Sequence, residues 1–138
     1  MVRVFLTAIG LLYFWLAAWC SFQPAETSGL VGFQLRPGSG QSEFLTVYGG
    51  LELGLALTLL WPLIQSSATR LALLNCTLIH GCLVLFRGVS FFLFSGIETM
   101  TWKLAAGEWV IFLIGCALLY WTRKGDSAGG NDNLPLRP

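Results

Sequence analysis

The sequence predicts an all-α integral membrane protein, an antiparallel four-helix bundle. Two observations carry that prediction. Of 138 residues, 55% are hydrophobic and only 11% charged, against roughly a quarter charged in an ordinary soluble domain. With mean hydropathy at +0.70, so short a chain has too little polar surface to coat a water-soluble globule. The second observation is four apolar runs of about 20 residues, the length a helix needs to cross a hydrocarbon core about 30 Å thick. The formal net charge of +1, from 8 Lys+Arg and 7 Asp+Glu with no basic run, lacks the electrostatic footprint that DNA or RNA requires. The expected surroundings are the lipid bilayer, with no nucleic-acid partner.

The first run, residues 4–22, reads VFLTAIGLLYFWLAAWCSF and stops before Gln23-Pro24, with Trp15 and Trp19 placed as interfacial aromatics. Its opening imitates a secretory signal. However, the apolar stretch is longer than a signal core, and Trp19 before Cys20 spoils a small-residue cleavage site, so it reads as a retained span. Residues 23–41, with two Pro and four Gly, read as a loop that lies on the interface and could lid the bundle. The second run, 43–64, follows Ser42 as N-cap with Glu43 in its first turn, and Trp61-Pro62 marks its end. The third covers about 69–94 and the fourth about 102–121, closed by Thr122-Arg123-Lys124-Gly125. Residues 1–122 therefore read as one four-span domain and 123–138 as a flexible polar C-terminal tail.

Orientation follows from Lys and Arg near the span ends. Arg3, Arg70, Arg123 and Lys124 fall on one side; Arg36 and Lys103, diluted by Glu26, Glu43 and Glu98, fall on the other. Both termini are therefore expected in the cytoplasm. Cys20, Cys76, Cys82 and Cys116 show neither CxxC nor zinc-knuckle spacing, and the single His80 cannot complete a metal site, so the cysteines read as small buried apolar residues and no metal is expected.

Three charges lie well inside the spans: Glu52, Arg87 and Glu108. An ionisable group near the bilayer centre costs at least about 2.5 kcal/mol and persists by facing a partner, a cavity or water. Counted at 1.5 Å per residue from the expected outer helix ends, Glu52 and Arg87 lie at similar depth with Glu108 in reach, which predicts a Glu52, Arg87, Glu108 cluster. Tyr48 shares a face with Glu52, and His80 shares a stripe with Arg87 one or two turns away. Gly50 and Gly54, with Gly49 beside them, give a GxxxG spacing that permits close helix approach. Three readings of the cluster stay open: helix-pairing architecture, a ligand-binding pocket, and catalysis or proton transfer.

The stretch from Ser42 to Gly54, SEFLTVYGGLELG, resembles the signature of the bacterial domain-of-unknown-function 4345 family (DUF4345). The match falls on Glu43, Tyr48, Gly49, Gly50 and Leu51, with Arg87 and Glu108 also similar. At Leu45-Thr46 the sequence departs from that pattern, in which an Arg is common just before the Tyr. The resemblance implies a small four-helix protein of the bacterial inner membrane. It implies no reaction, substrate or cofactor.

No nucleophile and base pair, phosphate loop or cofactor motif appears, so catalytic residues and cofactors are not assigned. The expectation is a non-catalytic membrane protein: an accessory subunit of a membrane complex, a homo-oligomer, or a binder of a lipid-like ligand. In the ligand version Glu52, Arg87, His80 and Tyr48 would meet a polar head. The rival is a small membrane enzyme or proton-coupled carrier using Glu52, His80 and Glu108.

Overall fold

The computed structural model describes the backbone of residues 1–129 and the side chains of residues 1–124. Among these the chain is all helical: α1 (Val2–Phe22), a short α2 (Pro24–Leu30), α3 (Ser39–Leu63), α4 (Thr69–Leu93) and α5 (Thr99–Gly129). Four segments are long and apolar enough to cross a membrane, namely Val2–Phe22, Ser39–Leu63, Ser66–Leu93 and Thr99–Lys124. Helix is the expected form there, since every backbone N–H and C=O is satisfied within the segment and none is left facing hydrocarbon.

The stop signals act where the sequence puts them. Pro24 opens α2 and prevents α1 from continuing, while the Trp19 indole N–H donates to the Gln23 side chain at 2.8 Å. At the other end of α3, Trp61-Pro62-Leu63 tightens into a 3₁₀ turn. Two boundaries differ from expectation. Helix α3 begins at Ser39 and not at Glu43, because Gly38 takes a left-handed backbone (φ 76°) and the Gln41 side chain reaches back to accept from the Gly38 N–H at 3.2 Å. Residues 23–41 are thus partly helical. Helix α5 runs on to Gly129, beyond the expected stop at Trp121, so the start of the polar tail is helical; residues 130–138 lie outside the described residues.

Within α3, Leu45–Leu51 is wound as a π-helix, a wider coil that admits one more residue per hydrogen-bonded turn. It carries Tyr48 and the Gly49-Gly50 pair and ends against Glu52.

The helices associate as two antiparallel hairpins, α1 with α3 and α4 with α5, which touch each other more sparsely. Small residues set each hairpin. A Cβ at Gly10 would stand 2.7 Å from Leu60 Cγ, and one at Gly49 2.6 Å from Ser21 Oγ. In the second hairpin Gly115 faces Thr77 and Gly81 faces Phe112 in the same way. The hairpins are joined by a core at the end of the bundle that holds the N-terminus: Leu6, Leu59, Ala72, Leu73, Cys76 and Leu118, with Phe5 and Ile9 against it. No more than 22% of each span's most apolar stretch is buried within the chain. The exposed remainder, such as Leu85, Phe86 and Phe92, would be untenable in water and is what a lipid-facing surface requires. Cys20 and Cys76 are buried as expected, whereas Cys82 and Cys116 lie on that outer surface.

Candidate functional site

The interior polar groups are stacked outward from this core. Seven residues from Leu6 along α1 is Tyr13, and four from Cys76 along α4 is His80. These meet, Tyr13 Oη lying 3.2 Å from His80 Nε2 with the rings edge to face at 5.8 Å. His80 is only 1% exposed. Its Nδ1 lies 2.8 Å from the Cys76 carbonyl, an acceptor, so Nδ1 carries the proton and Nε2 accepts from the Tyr13 hydroxyl. Both nitrogens are thereby occupied, and His80 is a bridge between the two hairpins.

Farther out, Arg87 of α4 and Glu108 of α5 form a bidentate ion pair. Arg87 Nε donates to Glu108 Oε2 at 2.9 Å, and Nη2 donates to Oε1. The side chains are 26% and 13% exposed. This is the planar fork geometry that suits guanidinium to carboxylate, and it closes the second hairpin on itself.

Glu52 does not join them, so the expected three-membered cluster is corrected to a pair plus a separate acid. Its Oε2 is buried with no hydrogen-bond partner. The cause is register. Because α3 starts at Ser39, Glu52 is the fourteenth residue of its 25-residue span, whereas Arg87 is six residues from the outer end of α4. At 1.5 Å per residue Glu52 stands about 20 Å along its span from Ser39, and Arg87 about 9 Å along its own helix from Leu93. Tyr48 does not hydrogen-bond to either charge; its ring stacks on Phe44 (4.6 Å between centroids) and meets Phe33 edge-on at 5.9 Å, forming an aromatic plug at the end of the bundle away from the N-terminus. Buried Thr27 and Ser28 of α2 bond to the backbone of their own turn, so α2 presents no free donors there.

The glycines divide. Gly49 is in close contact with Ser21, as expected for a packing position, but a Cβ at Gly50 or Gly54 would meet nothing within 4 Å. One turn beyond Gly54, Thr58 opens a shallow groove of about 240 Å³ that is also lined by Leu57, Trp61, Leu71, Ala72 and Asn75. Sequence reasoning missed Asn75. Its amide stands half-buried in an apolar groove within a span, and among the described residues its side chain makes no hydrogen bond. The available signal was the only Asn inside any of the four apolar runs. A second groove of about 440 Å³ runs between α1 and α3 beside Phe14, Ala17, Ala18 and Gly50. Neither groove is lined by Glu52, Arg87 or Glu108. No group of three or more metal-ligating side chains occurs among the described residues.

Comparisons with protein-family models, with curated proteins and with solved structures found no match.

Proposed function

We propose that this chain is a non-catalytic membrane subunit that works by binding other transmembrane helices, through the face of α3 and α4 marked by Gly54 and Asn75. The observation that carries the reading is the unpartnered Asn75 amide in a groove open to lipid. Hydrocarbon cannot hydrogen-bond an amide, so a side-chain or backbone group from a neighbouring helix is its natural complement. Gly54, one turn before Thr58 and with open space before it, lets such a helix come close. The partner is a second copy or another subunit of a membrane complex.

The lipid-like-ligand reading is less well supported, because neither groove is lined by Glu52, Arg87 or Glu108 and two of the groups it needs for a polar head, Arg87 and His80, are already engaged. Arg87 has its charge balanced by Glu108 through two of its N–H groups, and His80 has both nitrogens taken by Tyr13 and the Cys76 carbonyl. Kinship with the DUF4345 family, residence in a bacterial inner membrane and cytoplasmic termini remain parts of the same proposal, supported by the Tyr48-Gly49-Gly50-Leu51 element and by the flanking Arg3, Arg70, Arg123 and Lys124.

The test is the native mass of the complex after mild extraction of membranes, by native electrophoresis, for the wild type and for Asn75→Leu and Gly54→Leu. An assembly that collapses to a single chain in both variants supports the reading. A wild type that migrates as a single chain overturns it.

A further inference from the structure

Glu52 stands at the middle of its span, where α3 changes from the wide to the ordinary helix. The residue is half-buried, and of its carboxyl oxygens Oε2 is shut off from the surface and lacks a donor. The groups around it offer none that is free and positive. From α1, Tyr13 and Cys20 lie within Coulombic range of it, and from its own helix Tyr48 does. From α4, His80 has both nitrogens engaged and Arg87 is bound in a bidentate pair to Glu108 of α5. An ionised carboxylate here would be an uncompensated charge in a low dielectric, among neighbours that are uncharged or, like Arg87, already paired. The neutral acid avoids that cost, since it carries no charge to desolvate.

We propose that Glu52 is a proton-binding site at the middle of its span, holding its proton at neutral pH and releasing it only at higher pH. Its ligand is the proton itself. The site is separate from the helix-docking face, since Glu52 does not line the groove that holds Asn75.

The test uses the wild-type chain in liposomes and a membrane-permeant carbodiimide. This reagent takes up a protonated carboxyl, adding its proton and oxygen across the N=C bond, and rearranges to a stable N-acylurea that peptide mass mapping locates. The expected result is an adduct at Glu52 at neutral pH and none at ion-paired Glu108, the Glu52 yield falling about tenfold per pH unit once the proton is lost. Absence of the Glu52 adduct, or a yield indifferent to pH, overturns the proposal. Infrared spectra give a second reading: the carbonyl stretch of a protonated acid should be present in the wild type and absent in Glu52→Gln. A wild type without that band overturns it equally.

Discussion

Tyr13 of α1 and His80 of α4 are sixty-seven residues apart in sequence and share a hydrogen bond of 3.2 Å across the seam between the hairpins. With Nδ1–H committed to the Cys76 carbonyl, the phenol is the donor, and its loss leaves a buried acceptor unfilled. Tyr13→Phe is expected to lower stability by about 1 kcal/mol, near the usual value for an interhelical bond inside a membrane. His80→Ala should lower it by about 2–4 kcal/mol, because it also empties a fully buried site. Unfolding in mixed detergent micelles measures both, and a Tyr13→Phe variant as stable as wild type would show the bond to be idle.

The Arg87 and Glu108 pair should behave asymmetrically under single and double substitution. Arg87→Leu or Glu108→Leu strands a charge in the span and is expected to cost about 3 kcal/mol. The double variant removes both charges and should recover most of that loss. A double variant that costs as much as the two single ones together would mean that each group acts through some other contact.

Glycines at the hairpin contacts and at the open face should separate in the same assay. Gly49→Ala and Gly115→Ala drive a methyl to within 2.6 Å of Ser21 Oγ and 2.5 Å of Thr77 Oγ1, an overpacking expected to cost about 1–3 kcal/mol. Gly54→Ala meets nothing within 4 Å and should leave the stability of the single chain unchanged. Equal losses at all three positions would contradict this division.

Topology is open to direct labelling. In a background without native cysteines, Arg36→Cys should react with a membrane-impermeant maleimide added to intact cells, and Arg70→Cys should react only after permeabilisation. The reverse pattern would invert the orientation inferred from the basic residues.

The four spans were legible because bilayer thickness imposes length and apolarity on each helix independently, whatever its neighbours. Glu108 and Arg87 were legible as a pair because both lie on adjoining antiparallel helices and register alone brings them close. Glu52 was placed beside them by counting from a helix start that the sequence seemed to mark at Ser42. The chain starts α3 at Ser39, using a glycine backbone angle and a Gln41 side chain, and four residues are enough to move a carboxyl by more than a turn. The π-helix left no periodic trace. Nor did the vacancy beside Gly50 and Gly54, since GxxxG spacing indicates that backbones can approach but not whether the approaching helix belongs to the same chain.

That wide coil has an evolutionary corollary. Leu45–Leu51 holds a surplus residue relative to an ordinary helix, so a deletion there can be absorbed by tightening, with Phe44 and Glu52 still aimed much as before. A deletion elsewhere in α3 would swing everything beyond it by about 100°. Related chains that differ in length in this helix should therefore place their gap between Phe44 and Glu52, and a one-residue truncation made there should be tolerated where one made after Glu52 is not.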